Sequence, residues 1–307
     1  MTQLRTWPDL PFTPADLRAL RIPEGRLRRA VRAGEVRPVV RGVFVSAETP
    51  DTIEMHARAV ARVVRPHHVV TDRTAAWLHE VDALVWADRD LVPVVETCAL
   101  RGHEPTAISG VDGRTRDLRP ADITTVHGVT VTTPLRTALD LGCCLRRREA
   151  FAALNAMAAR HGLTREDYLA ALPRFRRRRG VRQLRPLVQI VEPLVESVRE
   201  SWVLLEIHDA ALPRPEPQYW IHIDGVPAFR LDLAYPHLRV CVEYDGEEWH
   251  HLTAEQREDD HARRRWLREN GWTVIVVQRG DFTRQARDRW IATLRQALRP
   301  AYTNRRW

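Results

Sequence analysis

The feature that most constrains this chain is an apolar pattern in its last third, which runs helix, three strands, helix, strand. A helix opens at Ser197 and is stopped by the proline-rich turn at 212–217, because proline removes a helical donor and clashes with the preceding turn. Residues 219–223 alternate as a strand, and Asp224-Gly225 supplies the chemistry of a tight hairpin. Strands follow at 227–234 and 238–244. A second helix spans 260–271 with Leu267 packed inward, and Gly271 ends it. The run 272–278, with Val274, Ile275, Val276 and Val277 in succession, is a buried strand.

Carboxylates sit where these strands end. Asp232 is on the second strand, and Glu243 and Asp245, two residues apart, share one face at the end of the third. His250 follows five residues after Asp245. Ionised carboxylates gathered in an apolar sheet are costly unless something compensates their charge. Magnesium (or manganese) would do so, since such cations prefer oxygen ligands and keep positions open for water and phosphate. A neighbouring histidine could then move a proton, which completes a set of groups able to hydrolyse a phosphodiester. One geometric obstacle stands in the way. A tight hairpin at Pro236 would set Asp232 opposite about Val240 rather than Glu243, so the strands must bend or bulge for the acids to converge. Asp-Gly at 224 and 245 is also ordinary turn chemistry, and His251 and His261 read as surface residues.

The N-terminus has a different character. Thr13 caps a helix with Pro14 at its first position and Asp16 closing a capping box. A second helix, from about 24 to 33, turns Leu27, Ala30 and Val31 inward and Arg26, Arg28, Arg29 and Arg32 outward. A basic β-segment carrying Arg37 and Arg41 follows at 36–45. This is the outline of a winged helix-turn-helix, whose second helix enters the major groove; the bland reading is that the four arginines are a solvated face.

Between 50 and 190 the pattern mixes helices (53–64, 72–79, 134–141, 148–161, 164–172, 184–194) with strands (91–98, 126–131), as in a small α/β domain. A block from Arg174 to Arg179 reads as surface, because like charges repel, and phosphate contact is one use for it.

Two resemblances follow from these residues. The helix pair with Arg-Pro-Val-Val-Arg-Gly-Val-Phe at 37–44 resembles the winged-helix domain of AbiEi-type antitoxins, and Thr-Thr-Pro-Leu-Arg-Thr-Ala-Leu-Asp-Leu at 132–141 resembles the middle region that accompanies it. Residues from about 197 to 295 resemble endonuclease-like domains allied to very-short-patch-repair (Vsr) endonucleases. The words that carry this likeness are Ser197-x-x-Glu200, Arg230-Leu231-Asp232, Val242-Glu243-Tyr244-Asp245-Gly246, Trp249-His250, Asp260-x-x-Arg263 and Leu267-x-x-x-Gly271-Trp272. The resemblance implies a restriction-endonuclease-like α-β-β-β-α-β core, with Asp232, Glu243 and Asp245 holding the metal. It also implies that His250 is the catalytic histidine and that Glu200 is an outer carboxylate; the pattern of the 260–271 helix itself sets Arg263 toward the nucleic-acid backbone, with Leu267 on the sheet. The wider restriction fold has a lysine two residues after the second acid, where this chain has Asp245, so the group that activates the nucleophile is left open.

The expected class is therefore mixed α/β. Expected domains are a winged helix at 1–50, a connecting domain at 51–190 and a nuclease-like domain at 191–307. Composition agrees with a polyanionic partner, DNA first: the net charge is +8, and all 48 basic residues are arginines. A GC-rich genome would also favour arginine codons. Four cysteines without a C-x-x-C pair point to reduced, mostly buried thiols. With no apolar run of membrane-spanning length and no signal-peptide pattern, the expected compartment is the cytoplasm. The rival to a nuclease is a non-catalytic DNA-binding regulator or antitoxin, with a toxin as partner. RNA as substrate and a homodimer as the assembly both stay open.

Overall fold

The structure is a computed structural model, in which residues 7–83, 91–245 and 254–299 are described, apart from the side chains of 254–257, 259 and 260. The fold is mixed α/β and divides into two compact units, Met1–Leu145 with Arg160–Gln189, and Arg146–Ala159 with Ile190–Trp307.

The first unit begins with α1 (Pro14–Ala19) and α2 (Glu24–Arg32), followed by β1 (Val36–Val40) and β2 (Val43–Ser46), which pair antiparallel. The Thr13–Asp16 capping box forms as the sequence dictates. Leu17, Ile22, Leu27, Ala30 and Val36 close a small core around Phe12. The inward valines of the ribbon, Val39, Val40, Val43 and Val45, join a second core with Met55 and Val60 of α3 (Ile53–Ala61).

That second core underlies a mixed sheet built from β3 (His68–Val70), β4 (Val95–Ala99), β5 (Val111–Thr115), β6 (Ile123–Val126) and β7 (Val129–Thr132), in the order β5-β4-β3-β7-β6. Between β3 and β4 runs α4 (Asp72–Leu78), and after β7 comes α5 (Pro134–Cys144). The run 126–131 is therefore two strands of a hairpin rather than one, because His127 and Gly128 both take positive φ and turn the chain. Next is α6 (Arg147–His161), whose residues 147–159 belong to the second unit; α7 (Arg165–Ala171) and α8 (Val181–Gln189) complete the first.

The second unit follows the expected order. It has α9 (Val198–Asp209), β8 (Glu216–Ile223), β9 (Val226–Tyr235), β10 (Val240–Asp245), α10 (Ala254–Glu269), β11 (Thr273–Gln278) and α11 (Arg284–Ala297). Its sheet runs β11-β10-β9-β8, with β10 and β11 parallel and the other pairs antiparallel. Asp224 and Gly225 both have positive φ and form the β8–β9 hairpin. Buried Leu267 of α10 packs with Leu231, Ala234 and Cys241 of the sheet. No helix among the described residues is long and apolar enough to cross a membrane.

Candidate functional site

The β9–β10 connection decides where the acids go. A short 3-10 turn at Pro236–Leu238, closed by Arg239 in the left-handed region (φ 51°), widens the hairpin. Tyr235 then pairs with Val240, Ala234 with Cys241 and Leu233 with Val242. Continued by one step, this register sets Asp232 beside Glu243. The register of a tight hairpin, Asp232 opposite about Val240, is thus avoided, and the expected bend or bulge between the strands is not needed; the loop supplies the three-residue offset.

Asp232 is the electrostatic focus of the site. Its Oδ2 accepts a hydrogen bond from the Tyr244 amide at 2.9 Å. Burial, reinforced by the nearby charges of Glu200 and Glu243, pushes its pKa up to about 7, against the opposing pull of the Tyr244 N–H and of Arg263. Glu200 stands in the first turn of α9, where Ser197 Oγ accepts its backbone N–H at 3.0 Å. Its own Oε2 accepts from Gln218 Nε2 at 2.9 Å and from the Glu196 amide at 3.2 Å. Glu200 therefore acts on Asp232 through space.

The other two acids meet α10. Glu243, only 3% exposed, takes a bidentate pair from Arg263, Nη1 to Oε1 at 2.8 Å and Nη2 to Oε2 at 2.9 Å. Buried Asp245 accepts from Arg264 Nη2 at 3.1 Å. Arg263, expected on the nucleic-acid backbone, is thus engaged as a counter-ion of Glu243. The reason lies in helical spacing and depth: Arg263 lies one turn before Leu267, which is buried against the sheet, so it shares the inward face.

These pairings limit what metal the acids can hold. Among the described residues no group of three or more His, Cys, Asp or Glu side chains is arranged as a metal cage. The three-carboxylate set Asp232, Glu243 and Asp245 is not assembled as such a cage, because both oxygens of Glu243 and one of Asp245 are held by arginine. What fits instead is a hydrated cation taken by one or two carboxylates, the way magnesium is commonly bound, with Asp232 as the first of them. His250 lies outside the described residues.

The basic candidates of the first unit also separate. Arg28, Arg29 and Arg32 are exposed along α2, and Arg41 is exposed in the β1–β2 turn. Arg26 is half-buried with its guanidinium over the Trp7 ring, 5.0 Å from the centroid. Half-buried Arg37 donates to the Thr49 carbonyl and to Asp51. One α2 face and the ribbon turn therefore remain available to a partner, while Arg26 and Arg37 brace the fold.

Sequence reasoning missed a buried ionic network in the first unit. Arg116 bridges Asp72 and Asp140, Arg136 bridges Asp140 and Asp122, and Arg174 and Arg178 reach in to Asp122 and Asp140. Only the spacing of Arg136 and Asp140, four apart on one helix face, was visible beforehand. Nothing local announced that two arginines of the 174–179 block turn inward.

No protein-family model matches the chain. Similarity is found to two proteins of Mycobacterium tuberculosis, the uncharacterized protein MT2308 of strain CDC 1551 / Oshkosh and the uncharacterized protein Rv2248 of strain ATCC 25618 / H37Rv. Each is 36% identical over 162 residues, 52% of this chain. The matched stretch spans 59% of the length of these curated relatives.

Proposed function

We propose that the protein is a metal-dependent endonuclease acting on DNA, which it engages through the arginines of α2 and the β1–β2 turn. The observation that carries this reading is the convergence of Glu200, Asp232 and Glu243, which leaves Asp232 with a pKa of about 7. A carboxyl raised this far by burial and like charge is destabilised as an anion, and a divalent cation is the natural partner to relieve it. When bound, magnesium or manganese would polarise the scissile phosphate and acidify a water. Asp232 would hold that cation, with Glu200 fixing the local charge from α9. Arg263 would hold Glu243 in its orientation in the absence of substrate. His250 is the residue proposed to deliver or accept the proton. The Vsr-like sequence words in the same segment agree with this assignment.

A second reading has its own support. Glu243 and Asp245 are already neutralised by Arg263 and Arg264, as a retired site turned scaffold would have them. The protein would then be a DNA-binding regulator or antitoxin with a toxin as partner.

Cleavage assays separate the two. Plasmid, linear, mismatched and single-stranded DNA are incubated with magnesium, manganese or chelator, alongside Asp232→Asn and His250→Ala. Metal-dependent nicking lost in both variants is the expected outcome. Retarded but uncut DNA under every condition gives the regulator precedence.

A further inference from the structure

Two sequence features that the nuclease reading leaves unused, the 132–141 word and the 174–179 arginine block, come together in the first unit around one basin. It is an open cavity of about 490 Å³ lined by Arg114, Arg116, Asp140, Cys144, Arg178 and Arg179 among others. That volume lies within the range of small-ligand sites, roughly 300–1,000 Å³. Two chain segments supply its arginines: β5 with the residue that follows it, and the loop between α7 and α8.

The basin is held in shape from below. Asp72, with positive φ (53°) despite its side chain, presents its carboxylate to Arg116, whose other amino group meets Asp140 at 3.0 Å. Arg136, 4% exposed, links Asp140 to Asp122, and Arg174 reaches Asp122 at 2.6 Å. Arg178 is paired with Asp140 and lies over the Phe175 ring, 4.9 Å from its centroid. Gly180 pins the loop: at φ +83° a Cβ there would stand 2.0 Å from the Cys143 carbonyl oxygen. Gln183 Nε2 donates to the Gly142 and Leu145 carbonyls, so these carbonyls at the α5 C-terminus are already engaged rather than facing a ligand bare. Positive charge is in surplus. The lining itself sets Arg114, Arg116, Arg178 and Arg179 against a single carboxylate, Asp140.

Buried ion networks seldom add stability over apolar packing of the same volume. A network that instead holds arginine forks around a concave, cationic hollow suits a ligand rich in phosphate oxygens. We propose that this basin binds a small phosphate-bearing ligand of the nucleoside di- or triphosphate class, its phosphates taken by Arg179, Arg178 and Arg114. The hollow favours a compact ligand over duplex DNA, which is better met by the outward Arg176 and Arg177 of the same loop.

The test uses the full chain, with inorganic pyrophosphate and ATP as probes and calorimetry as the readout. Saturable one-to-one binding of either is expected, weakened at least about tenfold in Arg179→Glu, the loss of a charge-assisted contact. Arg114→Ala should also weaken it, while Arg28→Ala with Arg29→Ala leaves it unchanged. ATP should further slow maleimide labelling of the exposed Cys144, read by mass spectrometry. Arg179 is exposed, and circular dichroism checks that its variant folds. The proposal is overturned by absence of saturable binding up to millimolar probe, by binding that Arg179→Glu leaves intact, or by binding that follows Arg28 and Arg29. Retention of duplex DNA in an Arg179-dependent way without any nucleotide binding would overturn it too, assigning the basin to the nucleic-acid backbone. Whether DNA is cut has no bearing on these outcomes.

Discussion

At the scale of single residues, Asp232 carries the sharpest consequence. Its pKa is raised from 3.8 to about 7, so the folded protein holds a proton that the unfolded chain releases. Below about pH 4 both states are protonated and no penalty exists. Between about pH 4 and 7 stability falls as pH rises, and above 7 the penalty is complete, on the order of 4 kcal/mol as a ceiling. Asparagine keeps the acceptor for the Tyr244 amide and removes the charge. Asp232→Asn should therefore raise the denaturation midpoint of the second unit at pH 8 and lose that advantage at pH 4. Equal midpoints at pH 8 would refute the buried, crowded carboxyl. The neighbouring pair predicts the opposite sign. Arg263→Ala strips the bidentate partner from a glutamate 3% exposed, at a cost of about 3 kcal/mol. Adding Glu243→Gln should recover most of it in urea titrations, because the cost is that of a stranded charge.

At the scale of elements, backbone geometry at a few positions explains what the sequence could and could not disclose. Capping at Thr13, the Asp224-Gly225 hairpin and the order from α9 to β11 were legible because each rests on local chemistry or on long apolar runs. The β9–β10 register was not, since Arg239 in the left-handed region carries no sequence mark that a glycine would have given. The hairpin at His127-Gly128 was missed despite its glycine, because the flanking strands of four residues each run together as one apolar segment, and three-residue β3 is too short to show a period. Within the candidate site, the convergence of Asp232 and Glu243 was readable only as a need, and the arginine clamp on Glu243 and Asp245 not at all, because α10 presents Arg263 and Arg264 through tertiary packing. The loop before α8 offers a direct check on such geometry. Gly180→Ala should destabilise the first unit by about 2 kcal/mol or more, because strain at positive φ adds to a collision with the Cys143 carbonyl. At Gly162 (φ +63°), which has open space around it, the same change should cost only about 1 kcal/mol. Thermal melts of both variants decide this, and equal losses would remove the close approach as the cause.

At the scale of the whole molecule, the arginines proposed to grip DNA and the carboxylate proposed to act on it belong to different units of one chain. The exposed arginines of α2 belong to the first unit and Asp232 to the second. If the proposed function holds, binding and cutting should be separable by substitution. Removing Arg28, Arg29 and Arg32 together should weaken DNA binding strongly and flatten its salt dependence, with the slope of log affinity against log salt falling by about two to three, since each lost phosphate contact contributes about 0.9. Cleavage at saturating protein should survive that change. Asp232→Asn should leave both the affinity and the salt slope of retarded DNA unchanged while abolishing metal-dependent nicking. Titrations at several salt concentrations, run on the same substrate used for cleavage, read both effects at once. If the α2 substitutions leave affinity and slope as they were, DNA is not gripped by that helix. If Asp232→Asn weakens binding as much as cleavage, Asp232 serves the grip on DNA rather than the chemistry.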